Sequence, residues 1–169
     1  MATKITLTHE IECDPETFWK LFLDKTFNEK MFKEALGFPR YDVVDQRETD
    51  KEVVRKVSGQ PKLDAPGPVQ KLLGSSFSFV EEGRFDKTSK VWHWKMIPST
   101  MADKLRTEGT IRVEPAGEGK CRRIADISME AKVFGVGGML ESTTEKNMRQ
   151  GYDASARFMN QWIRDGKAK

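Results

Sequence analysis

Residues 133–163 read VFGVGGMLESTTEKNMRQGYDASARFMNQWI, a stretch that joins an apolar, glycine-rich turn to a long predicted helix. Apolar side chains recur along this helix at the spacing of one helical face. Its middle is bare, because the residues there are small: Gly151, Ala154, Ser155 and Ala156. A long helix with a bare middle can cross a sheet without filling the space beneath it. The small residues permit a cavity and do not require one. We predict that the inward stripe of the helix consists of Tyr152, Ser155, Ala156, Met159 and Ile163.

The length and composition are those of a single globular domain. The chain has 169 residues, of which 37% are hydrophobic, and its mean hydropathy is −0.62. A chain of this length buries a sizeable core. We expect one domain over residues 1–165, followed by a short polar tail over residues 166–169.

The charge pattern argues against a nucleic-acid-binding protein. Charged residues make up 33% of the chain, but the net charge is only +3 and the two signs are interspersed. A nucleic-acid-binding domain would concentrate Lys and Arg on one element. The mild basicity is compatible with weak attraction to anionic lipid surfaces.

The sequence carries no evident targeting or metal-binding signal. Residues 1–6 turn polar at once, so we expect no secretory signal peptide. No apolar run approaches the roughly 20 residues of a membrane span. Cys13 and Cys121 stand alone, without a CxxC pair or a Cys/His cluster, and predict no zinc site. We therefore expect a cytoplasmic protein with reduced thiols and neither a metal nor a cofactor.

Alternating apolar residues predict seven strands and two short helices. Asp14-Pro15-Glu16 has the composition of a helix start, and Gly37 and Pro39 end the second helix. Antiparallel strands with helices on one side make an α+β domain. Seven strands with one apolar face should curl around the terminal helix. The strands are expected over residues 3–12, 40–48, 52–60, 75–86, 90–98, 104–114 and 120–133.

The predicted element order resembles the helix-grip fold of the START-like superfamily, also called SRPBCC or birch-pollen-allergen-like. The resemblance lies in three stretches: HEIECDPETFWKLFLD (residues 9–24), GPVQKLLGSSFSFVEEGRFD (residues 67–86) and residues 133–163. It covers nearly the whole chain, and none of its motifs is catalytic. It implies a curved seven-stranded antiparallel sheet wrapped around a long C-terminal helix, with two short helices after strand 1.

The second and third stretches also resemble a small bacterial family of unknown function within this superfamily. More distantly, they are similar to the PRELI family of phospholipid-transfer proteins. In that family a Pro-led short helix ends in Gly and is followed by strands. A glycine-bearing turn then leads to a Glu at the start of the last helix. Gly74, Glu81 and Glu141 occupy such positions here. The resemblance implies an internal cavity for a lipid or another hydrophobic molecule.

Strand parity and the helical stripe select the candidate cavity residues. Aromatic rings would supply rigid walls and methionines adaptable filling, although a plain packed core needs the same residues. Among the polar candidates Arg55 stands between two valines, and a guanidinium can hold a carboxylate or phosphate headgroup. The alternative for such polar residues is exposure at a strand end or an ordinary ion pair. The candidates are His9, Tyr41, Arg55, Phe77, Phe79, Glu81, Trp92, Trp94, Met96, Ile111, Ile127, Met129, Met148, Tyr152, Ser155 and Met159.

Two segments are candidates for a gate to this cavity. Both contain glycines, which permit backbone rearrangement. Exposed apolar residues in them would suit transient contact with a membrane or a partner. The alternative is that they fold back and plug the end of the cavity. The gate candidates are Pro66, Val69, Leu72, Phe134, Val136 and Met139.

Three functions remain open on the sequence. The first is binding of a lipid or another hydrophobic small molecule, with sequestration or transfer. The second is an enzyme of the cyclase, dehydratase or hydrolase type, with His9, Arg55 and Glu81 as the acting residues. No Ser or Cys has an evident His and acid partner, so the sequence makes no positive case for catalysis. The third is a protein-interaction module, although the sequence names no protein partner.

Overall fold

The computed structural model describes residues 2–168 and has four α-helices and seven strands within them. A π-helical turn over Met31–Ala35 continues the second helix. The elements in chain order are β1 (Thr3–Ile11), α1 (Pro15–Phe22), α2 (Lys25–Lys30), β2 (Arg40–Glu48), β3 (Glu52–Gln60), α3 (Gly67–Leu73), β4 (Phe79–Asp86), β5 (Val91–Pro98), β6 (Leu105–Pro115), β7 (Cys121–Ala131) and α4 (Gly137–Arg164).

The seven strands form one antiparallel sheet in the order β1-β7-β6-β5-β4-β3-β2. From β2 to β7 each strand pairs with the next one in the chain, with α3 inserted between β3 and β4, and β1 pairs with β7. The helix α4 packs against β1, β7 and the π-helical turn. The predicted α+β helix-grip architecture, with two short helices after the first strand, is confirmed.

The two short helices begin with side-chain caps that the sequence signals. Asp14 accepts a hydrogen bond from the Thr17 amide at 2.8 Å, and Pro15 takes the first helical position. Asp24 caps α2 in the same way, through the Phe27 amide at 2.7 Å. These caps satisfy amides that have no partner inside the helix.

Two strand boundaries differ from the prediction by two residues or more. Gly74, with φ +83°, ends α3, and β4 begins only at Phe79 rather than at residue 75. β7 ends at Ala131, two residues early, because the chain turns there into α4. Gly137 opens α4 against the carbonyl of Ala131, where an added Cβ would lie 2.6 Å from that oxygen. Only glycine fits at this start of the helix.

The core is concentrated at one end of the molecule. The C-terminal half of α4 packs there with α1 and α2, for example through Met159, Phe27 and Trp162. A second, smaller cluster joins Tyr41 on β2 to the ring of Phe32, whose centroid lies 4.0 Å away. In the N-terminal half of α4, Leu140, Glu141 and Thr143 are buried but belong to neither cluster. Within residues 2–168, no helix has both the length and the apolar character required to cross a membrane.

Candidate ligand-binding cavity

A cavity of about 460 Å³ lies between the inner face of the sheet and α4. This volume falls within the range of about 300–1,000 Å³ that is usual for small-molecule sites. Gly151, Ala154 and Ser155 line it, so the bare middle of α4 stands over open space. Most of the wall is apolar. Within the part of the chain described, no group of three or more His, Cys, Asp or Glu side chains is placed to hold a metal ion.

Strand glycines shape the sheet side of the cavity. Three of them lie under aromatic rings of the inner face: Gly59 under Phe79, Gly83 under Trp92 and Gly109 under Trp94. A Cβ at Gly83 would lie 1.9 Å from Trp92 Cζ2, and one at Gly59 would lie 2.8 Å from Phe79 Cζ. The rings therefore occupy the space that a side chain would take, which is the usual meaning of glycine inside a strand. The wall is lined with aromatic surface, and the space above the rings stays open.

Arg55 is a buried cation in this wall. Its side chain comes from β3 and is only 3% exposed. Its Nη1 donates a hydrogen bond to the Phe22 carbonyl at 2.6 Å. The guanidinium carbon lies 4.7 Å from the centroid of the Trp92 ring and 4.9 Å from that of Phe22, so both rings stabilise the charge. Its Nε is buried without a partner, and Arg55 forms no ion pair within residues 2–168.

Glu81 is a carboxyl in the same wall. In the β3–β4 register Arg55 faces Gly83, so Glu81 lies two residues along on the same face of the sheet. Glu81 is half-buried and lines the cavity, with no hydrogen bond or ion pair inside the described range. Burial raises its pKa above the ordinary value, and the nearby charge of Arg55 opposes the rise. The carboxyl thus has free hydrogen-bonding capacity among the described residues.

Two tyrosines complete the polar part of the wall. Burial raises the pKa of Tyr41 on β2 and of Tyr152 on α4, so both phenols stay neutral. Arg55 acts against the rise at Tyr41, and Arg123 acts against it at Tyr152. A negative charge on Glu81 would raise both pKa values further. The ionisation of Glu81 therefore affects the pKa of a tyrosine on the sheet and of a tyrosine on α4.

Arg123 on β7 forms a network with α4. It is 4% exposed, and burial lowers its pKa to about 10. Its Nη1 donates to Ser155 Oγ at 2.9 Å, and its Nη2 donates to the Tyr152 carbonyl at 2.9 Å and to His9 Nδ1 at 3.1 Å. Because the guanidinium only donates, His9 Nδ1 accepts, and Nε2–H donates to Asp153 Oδ1 at 2.6 Å. The network attaches α4 to β1 and β7.

Two predicted cavity residues lie elsewhere. His9 sits between the sheet and α4 in the Arg123 network, and Ile127 is buried in the core at 2% exposure. Neither lines the cavity, and both lie on β1 and β7, the two strands against which α4 packs. In this structure the two residues are therefore not part of the cavity wall that was predicted for them. The other candidates all line it: Tyr41, Arg55, Phe77, Phe79, Glu81, Trp92, Trp94, Met96, Ile111, Met129, Met148, Tyr152, Ser155 and Met159. Their contact with a ligand remains a prediction.

Part of the cavity wall is formed by residues that the sequence pattern did not predict to line it. Several of its residues come from α1, α2 and the turn after them: Phe22, Asn28, Met31, Phe32, Leu36 and Phe38. The apolar stripes of the two short helices predict that these residues face the interior. A stripe does not indicate whether its residues pack in the core or line a cavity. Arg123 alternates in phase with Ala125 and Ile127 on its strand, and this pattern indicates a second buried cation.

The gate candidates divide into one wall residue and five others. Val69 on α3 is fully buried and lines the cavity, so in this conformation it is part of the wall. Phe134 is fully exposed at 103%, and Met139 is 40% exposed. The five residues that do not line the cavity are Pro66, Leu72, Phe134, Val136 and Met139. Movement of either segment stays a prediction.

Residues 61–66, which we call the strap, connect β3 to α3 and are bonded to α4. The Asp64 amide donates to Asn147 Oδ1 at 3.3 Å, and Asn147 Nδ2 donates to the Asp64 carbonyl at 3.0 Å. Lys146 Nζ lies 2.8 Å from Asp64 Oδ2, and this contact lowers the pKa of the Asp64 carboxyl. Leu63 in the strap lines the cavity. The strap and α4 therefore close one side of the cavity together.

The chain matches known proteins in family and in fold. A family described as a protein of unknown function (DUF2505) matches residues 6–163. No curated protein sequence matches the chain. Among solved structures, the Zhui aromatase/cyclase from Streptomyces sp. R1128 superposes with a TM-score of 0.68 at 10% identity, over 96% of each chain.

Two further structures are similar to the same extent. A START superfamily protein from Mycobacterium smegmatis has a TM-score of 0.60 at 14% identity, over 94% of this chain and 97% of its own. Norcoclaurine synthase from Thalictrum flavum has a TM-score of 0.64 at 14% identity, over 96% of this chain and 87% of its own. At such identities the likeness concerns the fold alone. The chain therefore belongs to the DUF2505 family and has the START-like, helix-grip fold.

Proposed function

We propose that this protein binds a hydrophobic small molecule, such as a lipid, in the cavity between its sheet and α4. The observation that carries the proposal is a cavity of about 460 Å³ with an apolar wall and a few polar groups, among them Arg55 and Glu81. Small-molecule sites usually have this composition. Burying the apolar part of the ligand would supply the affinity, at about 0.8 kcal/mol for each CH₂ removed from water.

Sequestration or transfer requires an entrance, and the strap is the best candidate. Its contacts with α4 are one ion pair and two hydrogen bonds, and Asp64 and Lys146 are both exposed. Exposed ion pairs contribute little to stability, so such a contact can open and close readily. Val69 would leave the cavity wall together with the strap, since it lies on the helix that follows.

A cavity-filling variant tests the proposal. Ala154 on α4 lines the cavity, so Ala154→Phe should fill it, whereas Ser142→Phe places the same side chain on an exposed position of the same helix. We expect native mass spectrometry to detect a co-purifying or added hydrophobic molecule at one per chain. Ala154→Phe should lose at least about tenfold in affinity, and Ser142→Phe should bind like wild type. No ligand across a broad panel, or equal binding by both variants, would contradict the proposal.

Catalysis on a bound hydrophobic substrate is the second candidate. It is favoured by Glu81, Tyr41 and Tyr152, three titratable groups of the cavity wall whose pKa values burial raises. A carboxyl with a raised pKa is suited to general acid or base work near neutral pH. The mass of the recovered ligand separates the two functions. An unchanged mass supports a binding protein, and a changed mass that Glu81→Gln abolishes supports an enzyme. A collapsed cavity beside an exposed apolar groove would favour the third possibility, an interaction module, and the cavity here is open.

A further inference from the structure

Two arginines in the cavity wall are buried without an ion-pair partner among residues 2–168. Arg55 is 3% exposed and Arg123 is 4% exposed. A buried charge is costly unless an opposite charge or a full set of hydrogen bonds compensates it. Asp153 acts on Arg123 from α4, to which it is linked through His9, and Glu81 is the carboxyl that acts on Arg55; neither carboxyl forms a direct ion pair with an arginine in the described residues. The wall therefore carries a positive charge that an anionic ligand would balance.

Arg55 differs from Arg123 in keeping a terminal guanidinium nitrogen without a partner among the described residues. Both terminal nitrogens of Arg123 already donate to protein acceptors. Arg55 uses Nη1 for the Phe22 carbonyl, and its Nη2 donates to no described residue. The Nε atoms of both arginines are buried without a partner. The rings of Phe22 and Trp92 hold the guanidinium in place, at 4.9 and 4.7 Å from their centroids. A group bound to Arg55 would thus meet a cation of defined orientation.

Glu81 limits the charge that the ligand can carry. The titratable groups around it are Arg55 on β3, Tyr41 on β2 and Tyr152 on α4, with Arg123 beyond Tyr152. Two carboxyl groups that share one guanidinium do not both ionise readily, and one of them keeps a proton. Burial already raises the pKa of Glu81, so Glu81 would be the group that keeps it.

We propose that the ligand is a hydrophobic monocarboxylate, bound by Arg55 and by a hydrogen bond from protonated Glu81. This inference rests on the proposed function. A phosphate monoester carries a charge of about −1.5 to −2 and would need a second free cation. A neutral alcohol would leave Arg55 without a counter-ion. A single carboxylate matches one guanidinium and one protonated carboxyl.

The arrangement couples binding to proton uptake. Above the pKa of Glu81, each carboxylate that binds must be accompanied by one proton taken from solvent onto Glu81. The affinity for the carboxylate should then fall by up to about tenfold for each pH unit. An uncharged ligand of the same skeleton takes up no proton, so its affinity should change little over the same range.

Isothermal titration with matched pairs tests the inference. The pairs are dodecanoate with dodecan-1-ol and 2-naphthoate with 2-naphthalenemethanol, in buffers of different ionisation enthalpy. We expect wild type to prefer the acid of at least one pair by about tenfold or more, with uptake of close to one proton. Arg55→Met should lose the preference and still bind the alcohol. Glu81→Gln should keep the preference and lose the proton uptake, because the amide can donate as the protonated acid does.

The outcomes separate this inference from the proposed function. Alcohols that bind wild type as tightly as the acids would overturn the inference and leave the proposed function standing. Binding of neither member of any pair, together with no co-purifying ligand, would contradict both. If Arg55→Met does not fold, wild type and Glu81→Gln still test the inference. A wild type that shows no preference for the acid, or no proton uptake, overturns it.

Discussion

Gly83 determines where the Arg55 guanidinium lies. It faces Arg55 in the β3–β4 register and leaves room for the Trp92 ring against the sheet. The guanidinium then lies 4.7 Å from the centroid of that ring, where the electron-rich face stabilises its charge. A glycine with no functional group of its own thus positions the buried cation of the cavity.

We predict that Gly83→Ala displaces Trp92 toward the cavity. The new Cβ would lie 1.9 Å from Trp92 Cζ2, so the ring must move. The expected cost is about 1–3 kcal/mol of unfolding free energy, as for other overpacked sites, with weaker ligand binding and altered tryptophan fluorescence. Urea unfolding and fluorescence spectra measure these effects. Gly138→Ala is the control, because nothing lies within 4 Å of its added Cβ. Equal behaviour of the two variants would show that the ring is free to move.

At the scale of elements, α4 is held at both ends and spans the cavity between them. Glu141 near its start accepts hydrogen bonds from Thr3 Oγ1 at 2.5 Å and from the Ala131 amide at 3.0 Å. Near its end Trp162 packs edge-on against Phe27, with the ring centroids 5.3 Å apart. The middle of the helix therefore needs no packing beneath it, because its ends carry the attachment.

We predict that Asn147→Ala speeds ligand exchange without loss of fold. It removes both hydrogen bonds between α4 and Asp64 of the strap, which are solvent-exposed or nearly so. A net loss of about 1 kcal/mol from the closed state corresponds to roughly fivefold faster release. Stopped-flow displacement of a bound ligand measures the rate. Gln161→Ala, which removes a hydrogen bond to Asp165 elsewhere on α4, should leave it unchanged. An unaltered release rate in Asn147→Ala would rule out the strap as the entrance.

At the scale of the whole molecule, charge is distributed unevenly between the two faces of the sheet. The outer face carries cross-strand ion pairs such as Arg112 with Asp126, at 2.9 Å, and Lys120 with Glu10, at 3.4 Å. Pairs of this kind contribute about 0–1 kcal/mol each, so they add little to stability. The inner face carries Arg55 and its neighbours in the cavity wall. The net charge of +3 reflects the surface and does not reveal the charge of the cavity.

We predict that Glu81 makes the protein without added ligand less stable as the pH rises. The unfolded chain releases this proton near the ordinary pKa of 4.5, and the folded chain releases it at a higher pH. Between the two values the folded state binds more protons, so the unfolding free energy falls with pH. The loss amounts to about 1.4 kcal/mol for each unit of the rise in pKa.

Unfolding in urea from pH 4 to pH 8 checks this dependence. Glu81→Gln should remove this contribution to the slope and lose less stability than wild type toward the upper end of the range. Glu82→Gln is the matched control, because Glu82 is exposed on the outer face beside Lys95. If wild type and Glu81→Gln show the same slope, Glu81 ionises in the folded protein as it does in water.

Much of the fold follows from local pattern. Side chains alternate along a strand and recur every 3.6 residues in a helix, so the faces of the sheet and of α4 can be assigned from the sequence. For the same reason most of the predicted wall residues line the cavity, among them Arg55 and Glu81. Strand glycines such as Gly83 can be recognised in the sequence as well. The aromatic ring that lies over each of them comes from a neighbouring strand, so its identity depends on strand pairing.

The sequence by itself determined the strands, the helices and the inward faces, because these depend on neighbours along the chain. Only the tertiary structure decided where α4 crosses the sheet. That crossing covers His9 and Ile127 and leaves Arg55 and Glu81 open to the cavity, although all four have inward parity. It also decided that a strap at residues 61–66 is bonded to Asn147. Such contacts join residues far apart in the chain, and no local period encodes them.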